Sequence, residues 1–398
     1  MQIIMLNTEA ERGGAARAAS GLAAAMRSLS GNISVRLYHC GKASGDETTI
    51  SLRRPGARVI NIIISRLVGS SRSVDFGVSG DFVDFSESAD IVHLHNLHGY
   101  YLRYPELLKR LATRPVVWTW HDMWGATGRC AFSFNCEEWR VGCDPCAYLQ
   151  YYPSAWIDRA ANEYKLKRRL FSEFRRLVVV TPCEWLRDIA IASGFSEDNV
   201  VVVPNPIDIS AYEVVDRLAA RKRLGIKGDK FIALFVANDC GDPRKGYDDF
   251  AAAVKAAGVS AIAVGRRPKH QAPDVQHVGV VKCSKRLSLY YSAADILVLT
   301  SKADNYPNTV IESMACGTPV IGYGVGGIPS MIPEFCGEVI RPNDVAMLVQ
   351  TLQSHNRMGG KSAAVSSKLR TYAENTWRPE IVARQYLKIY EGLLGARA

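Results

Sequence analysis

The stretch QIIMLNTEAERGGAARAASGLAAAMRSL, residues 2–29, decides the fold. Gln2 to Asn7 is a short apolar run of the kind that forms a strand buried on both faces of a parallel sheet. Glu11-Arg12-Gly13-Gly14 interrupts it, and the alanine-rich segment that follows has high helix propensity. Strand, glycine turn and helix make up the first part of a βαβ unit, and the same grammar recurs downstream. Residues 34–38, 91–94 and 116–120 read as further strands, with the helical stretch PELLKRLAT between the last two. Strand candidates then follow at 177–181, 200–203, 231–237, 261–264 and 296–299, among helical segments such as YDDFAAAVKAA and NTVIESMAC. This alternation predicts an α/β protein with parallel sheets flanked by helices.

At roughly 150 residues per domain, 398 residues hold two or three domains. The junction is expected at Val203-Pro204-Asn205-Pro206-Ile207-Asp208, where two prolines exclude regular helix. That gives a first domain over 1–205, a second over 206–376, and a tail over 377–398. The tail carries apolar residues at Ile381, Val382, Tyr386, Ile389, Tyr390 and Leu393, the spacing of an amphipathic helix. Each domain is expected to be doubly wound and Rossmann-like. With 47% hydrophobic and 22% charged residues, the chain can build a sizeable core, which excludes wholesale disorder. No apolar run reaches the ~20 residues of a membrane-spanning helix, and the opening MQIIMLNTEAERGG lacks the marks of a signal peptide. The expected address is therefore cytoplasmic. A net charge of +10, from 49 Lys and Arg against 39 Asp and Glu, favours anionic partners without choosing among them.

In doubly wound sheets ligands sit beyond the carboxyl ends of the strands. Gly13-Gly14 lies in such a loop, and reads either as a close approach to a phosphate or as a plain tight turn. The richest segment is Asp304-Asn305-Tyr306-Pro307-Asn308-Thr309-Val310-Ile311-Glu312-Ser313-Met314-Ala315-Cys316-Gly317-Thr318-Pro319, directly after the strand at 296–299. Pro307 suits the first turn of a helix whose amides and dipole would face a pyrophosphate. Glu312 lies one turn in, above Asn308, where a carboxylate can accept two hydroxyls of a ribose. Asp304 stands in the loop before it, placed to meet sugar hydroxyls.

This segment resembles the retaining glycosyltransferases of the GT-B fold, and within them family 4, whose members build bacterial capsule, exopolysaccharide and lipopolysaccharide. Gly324-Val325-Gly326-Gly327-Ile328-Pro329 is similar to the family's next loop, and Gly13-Gly14 to its N-terminal glycine loop. His93-Leu94-His95-Asn96-Leu97-His98-Gly99-Tyr100-Tyr101 and Trp118-Thr119-Trp120-His121-Asp122-Met123-Trp124 resemble a colanic-acid-type subgroup. The resemblance implies two Rossmann-like domains with a cleft between them, the first taking the acceptor and the second the nucleotide sugar. It implies a closing helix at the tail, packed back on the first domain.

Roles follow residue by residue from the same resemblance. Glu312 binds the ribose, Asp304 the donor sugar, Asn308 and Thr309 the phosphates and sugar, and Gly13 and Gly14 also face the donor. Arg244-Lys245-Gly246 matches the family's phosphate clamp with Lys245 as its lysine, while the expected upstream Arg is replaced by Asn238-Asp239. Arg244, Arg266 and Arg267 are the candidates to compensate. His121, at a strand end, faces the donor sugar. Catalysis thus rests on His121, Lys245 and Asp304, without a metal ion. The implied partners are a nucleotide-sugar donor, a lipid-linked or oligosaccharide acceptor and an anionic membrane surface at the inner face of the cytoplasmic membrane, and no nucleic acid.

Cys130, Cys136, Cys143 and Cys146 lie in GRCAFSFNCEEWRVGCDPC and read as a structural zinc site, or else as four independent reduced thiols. The basic stretch at 164–176 reads as a membrane-docking helix or as a surface helix packed through its apolar stripe. His93, His95 and His98 read as cleft-lining or core residues. Two rival functions share parts of these features. A zinc-knuckle nucleic-acid-binding protein predicts salt-dependent binding of DNA or RNA. A non-hydrolysing nucleotide-sugar epimerase predicts conversion of donor alone. A catalytically inactive binding module is a third.

Overall fold

The structure, a computed structural model, describes residues 1–42, 46–70 and 78–395. The chain divides into two compact units, Met1–Pro206 joined by Pro379–Ala398, and Ile207–Arg378.

The first unit is built on seven strands: β1 (Gln2–Asn7), β2 (Ser34–His39), β3 (Thr49–Ser51), β4 (Ile91–Leu94), β5 (Pro115–Thr119), β6 (Arg176–Thr181) and β7 (Val200–Val202). Their order is β3-β2-β1-β4-β5-β6-β7, and the pairings are parallel, with Gln2 opposite Ser34 and Ile3 opposite Ile91. β1 is buried from Ile3 to Asn7, as an interior parallel strand covered on both faces must be. The helix Gly14–Leu29 lays Ala19, Leu22, Ala23 and Met26 against this sheet, and the last helix, Pro379–Gly395, adds Val382, Ala383, Tyr386 and Tyr390 to the same core. Small alanines let these two helices pack closely over one face. Tyr386 and Tyr390 also reach into the sheet, with hydroxyls 2.8 Å from Thr119 Oγ1 and 2.7 Å from His93 Nδ1.

The second unit carries β8 (Ile232–Asp239), β9 (Ser260–Arg266), β10 (Val275–Gly279), β11 (Ile296–Leu299), β12 (Val320–Tyr323) and β13 (Gly337–Ile340), again parallel, in the order β10-β9-β8-β11-β12-β13. Alternation along β8 sends Ile232 and Leu234 into one core with Val310, Ile311 and Met314, and Ala233 and Phe235 into another with Phe250 and Val254. Two cores on opposite faces of one sheet are what a doubly wound layer requires. Trp377 ends the helix Ala363–Trp377 in the first of these cores, its indole donating to Tyr306 Oη at 2.7 Å. It therefore belongs to the second unit, and the closing helix starts at Pro379.

Strand order reverses between β1 and β4 in one sheet and between β8 and β11 in the other. These are the switch points at which crevices open beyond the carboxyl ends of the strands.

Candidate active site

In the second unit the loops leaving β8 and β11 carry the residues singled out from the sequence. After β8 the chain makes a short 3-10 turn, Pro243–Lys245, which Asp242 caps by accepting the Arg244 amide at 3.0 Å. The turn ends on Gly246 at φ 68°, where a Cβ would stand 1.9 Å from the Thr300 carbonyl oxygen, so only glycine permits this approach. The Lys302 amide donates to the Arg244 carbonyl at 2.7 Å, and the Thr300 hydroxyl to the Gly246 carbonyl at 2.7 Å. These bonds tie the two loops together and set Lys245 Nζ 2.5 Å from Asp304 Oδ2. From the other side, Gly326 presses so close to the Asp304 carbonyl that a Cβ there would lie 1.7 Å from it. The Gly327 amide donates to Asn305 O at 2.9 Å.

The helix Asn308–Ala315 begins behind Pro307, whose ring offers its amides no cap. Asn308 is buried, and its Nδ2, like Thr309 Oγ1, meets no hydrogen-bond partner among the described residues. Uncapped amides beside buried, unused polar atoms form a ready site for an anion. Glu312 is buried one turn further in, and Tyr291 Oη donates to its Oε2 at 2.9 Å. Burial and the neighbouring Glu312 hold the Tyr291 phenol well above its usual range, so it remains a donor and fixes the carboxylate. Of the arginines expected to assist, Arg244 pairs with Asp242 at 2.5 Å, Arg266 with Asp239 at 3.3 Å, and Arg267 donates to the His277 carbonyl at 3.2 Å.

In the first unit, Gly13 stands at φ 96° in an open turn and leads into the helix Gly14–Leu29, to whose first amides it offers no capping side chain. His95, beyond β4, and His121, beyond β5, face each other with Nδ1 and Nε2 3.0 Å apart. His93 stacks on His95 at a ring separation of 4.2 Å and places Nε2 2.8 Å from Thr119 Oγ1. Desolvation lowers His121 to about 4, against the opposing pull of Asp122 and Asn205, and lowers His93 to about 3. His95 is pushed down by the same burial and by the adjoining imidazoles. Near neutral pH His121 is thus a neutral imidazole, able to orient a hydroxyl but carrying no charge. His98 bridges Asp122 at 2.7 Å and Tyr152 Oη at 2.9 Å.

The predicted residues therefore fall in two groups. Gly13, Gly14 and His121 belong to the first unit. Arg244, Lys245, Asp304, Asn308, Thr309 and Glu312 belong to the second, where Lys245 and Asp304 are in contact. Sequence reasoning missed Tyr291 and the His95 contact with His121, because each partner comes from a different element and no local spacing announces it.

Cys130, Cys136, Cys143 and Cys146 line one small cavity of the first unit, and Cys143 Sγ accepts the Gly128 amide at 3.1 Å. A hydrogen bond between Cys130 and Cys146 pushes the Cys130 thiol up and holds Cys146 down. Among the described residues, no three His, Cys, Asp or Glu side chains are placed to hold a metal ion as they stand. The basic stretch at 164–176 falls mostly on the helix Ala160–Ser172. Its Lys167 is fully buried and donates to Trp124 O at 2.6 Å, and Arg168 donates to Gly125 O and Ala126 O at 2.9 and 2.8 Å. Two of its cations are therefore spent on backbone carbonyls instead of facing solvent. No helix among the described residues is long and apolar enough to cross a membrane.

Two family models match the chain: Glycosyl transferase 4-like domain over residues 13–206, and Glycosyl transferases group 1 over residues 230–355. The putative colanic acid biosynthesis glycosyl transferase WcaC of Escherichia coli (strain K12) is 28% identical over 372 residues, covering 88% of this chain and 90% of that protein. The D-inositol 3-phosphate glycosyltransferase of Mycobacterium bovis is 25% identical over 58% of this chain and 51% of its own. Among solved structures, Anabaena Alr3699/HepE in complex with UDP-glucose superposes with a TM-score of 0.67 at 16% identity, over 98% of this chain and 100% of that one. WaaG, a glycosyltransferase involved in lipopolysaccharide biosynthesis, gives 0.65 at 16% identity over the same shares. At such identities the likeness speaks for the fold, which is GT-B. With one model on each half, the chain belongs to the group 1, family 4-like glycosyltransferases.

Proposed function

We propose that this glycosyltransferase moves a sugar from a nucleotide-diphosphate donor to a saccharide acceptor, with retention of anomeric configuration, during assembly of a cell-surface polysaccharide. The acceptor in this reading is an oligosaccharide carried on a lipid, and the work is done at the inner face of the cytoplasmic membrane. The observation that carries the proposal is the Lys245–Asp304 pair beside the uncapped start of the helix Asn308–Ala315, with Glu312 buried a turn in. As the bond from the anomeric carbon to the phosphate oxygen breaks, its electron pair stays on the leaving diphosphate. Lys245 and the helix amides meet that growing charge, which is where fixed cations and dipoles act most strongly. The acceptor oxygen bonds to the anomeric carbon on the same face, and its proton passes to the departing phosphate. Asp304 serves the donor sugar, Glu312 the ribose, Asn308 and Thr309 the phosphates, and His121 accepts or donates to a sugar hydroxyl. The UDP-glucose complex of the fold relative HepE and the colanic acid biosynthesis given for WcaC support the same substrate class.

The test is a panel of nucleotide sugars scored by the rise each gives in melting temperature, since a ligand of the folded state must stabilise it. One donor is expected to raise it and Glu312→Gln to erase most of that rise. An unchanged rise removes the ribose assignment, and conversion of donor without acceptor points to an epimerase instead.

The four clustered cysteines support a second, structural proposal: a zinc ion held by Cys130, Cys136, Cys143 and Cys146, stapling the loop that follows β5. Support comes from four thiols on one cavity and from the amide already donated to Cys143 Sγ. About one zinc per purified chain is expected. A content near zero overturns it.

A further inference from the structure

The strand β6 lies between β5 and β7 in the first sheet, yet only half of it is covered. Val179, Val180 and Thr181 are buried, whereas Arg176, Leu177 and Val178 stay partly open. Its neighbour β5 is buried along its whole length, as an interior parallel strand is expected to be. What β6 lacks is a cover at its amino end. There a cavity of about 1000 Å³ opens between the helix Ala160–Ser172, the segment leading into β7, and Leu393 of the closing helix. It belongs wholly to the first unit. It lies on the rim of the sheet opposite His121, which stands beyond the carboxyl end of β5.

The lining has two characters. Leu177, Val178 and Phe174 give it an apolar floor, and Arg168, Arg175 and Arg176 give it cations, with no Asp or Glu among the lining residues. Glu173, two residues before Arg175, is exposed and does not line the cavity. Among the described residues, Arg175 and Arg176 form no ion pair. Arg168 adds charge, but its Nη2 is spent on the Gly125 and Ala126 carbonyls, so hydrogen bonds to an anion fall to the other two. Unpaired guanidiniums over an uncovered apolar strand end fit one ligand of two parts, an anionic head and an apolar body. The rings decide the kind of body. Phe171 and Phe195 pack on each other at 5.4 Å, Phe171 also on Trp118 at 5.0 Å and Phe195 on Trp120 at 5.4 Å. The Arg168 guanidinium lies over both rings, at 5.7 and 6.0 Å. With those faces occupied a nucleobase finds little to stack on, and an aliphatic chain suits the Leu and Val floor. A second copy of this chain, with a net charge of +10, would bring cation against cation.

We propose that this cavity is a binding site for a chain-like organic anion, an aliphatic chain ending in a phosphate or a carboxylate. Arg175 and Arg176 take the head, and the open half of β6 takes the chain. The site stands apart from the one that serves the sugar transfer and does not depend on how that one is read.

The test is calorimetric titration of the full chain with decyl phosphate below its micellar concentration, beside decanoate, decanol and inorganic phosphate. About one decyl phosphate per chain is expected, bound at least about tenfold more tightly than decanol or inorganic phosphate, each of which carries one half of the recognised chemistry. Indole emission is expected to shift with saturation, since Trp118 and Trp120 stand against the rings of the cavity wall. Comparable binding of decanoate supports a carboxylate head, and much weaker binding of it a phosphate head. Arg175→Gln with Arg176→Gln is expected to weaken decyl phosphate about tenfold or more. Ser196→Trp, which sets an indole in the cavity lining, is expected to weaken it comparably. Because all three side chains are at least partly exposed, melting temperature and the donor-induced rise should stay at wild-type values in both variants. Absence of saturable binding to the wild type overturns the proposal, as does decanol binding as tightly as decyl phosphate. Undiminished binding in either variant overturns it too, since the ligand then sits elsewhere. So does a concentration-dependent dimer that the arginine variant disperses, the occupant then being a second copy. A donor response without decyl phosphate binding leaves the enzymatic reading standing, and the reverse result leaves the cavity standing.

Discussion

Lys245 and Asp304 answer each other at 2.5 Å, and each would be costly to isolate in its half-buried setting. If Lys245 meets the donor diphosphate as proposed, it exchanges one anionic partner for another, and little new desolvation accompanies donor binding. Lys245→Met is therefore expected to reduce kcat/KM by about 10²- to 10³-fold, the scale of removing one fixed charge-stabilising donor. Asp304→Asn should leave donor phosphate binding in place and act on the sugar. Steady-state rates against donor concentration separate the two. The placement of Asp304, Glu312 and Lys245 in the fold was legible because their spacing from a strand end and a helix start is local. Tyr291 was not. It reaches Glu312 from the helix Ser284–Ala293, and only the folded sheet brings the two together.

Among elements, the closing helix Pro379–Gly395 is held to the first sheet by two phenols as well as by its aliphatic stripe. Tyr390→Phe leaves His93 Nδ1 without its bond in a fully buried place, and is expected to cost about 1–3 kcal/mol in urea unfolding. The helix itself was readable from its 3.6-residue period. β3, β10, β12 and β13 were not singled out, since three to five residues are too few to establish a period and three of them lie at sheet edges. Periodicity also says which residues share a face but not which face is inward. In the helix Ala57–Val68 that choice is made by Asn61 and Ser65 finding backbone carbonyls, and no pattern of hydropathy foretells it.

Across the whole molecule, burial of uncharged imidazoles makes stability a function of acidity. His93 titrates at about 3 in the folded chain, well below its ordinary 6.5. Above 6.5 neither folded nor unfolded chain protonates it, and its contribution is intact. Below 6.5 the unfolded chain takes up a proton that the folded one refuses, so stability falls until the pH reaches the folded value. The loss is about 1.4 kcal/mol per pH unit for this one group, with His121 acting in the same direction down to about 4. Melting curves at pH 7 and pH 5 should show the first unit losing stability on acidification by several kcal/mol. His93→Gln should weaken that dependence and leave the part due to His121.

The first unit is assembled from residues 1–206 and the final segment from 379, whereas the second is one uninterrupted run. During synthesis, then, the middle of the chain is complete and free to fold while the amino-terminal sheet still lacks the helix that seals its core. That helix leaves the ribosome after the whole of the second unit. A chain cut between Ile207 and Arg378 keeps the first sheet but leaves Leu22, Met26 and Val117 without the side chains of the closing helix, a ready client for chaperones and proteases.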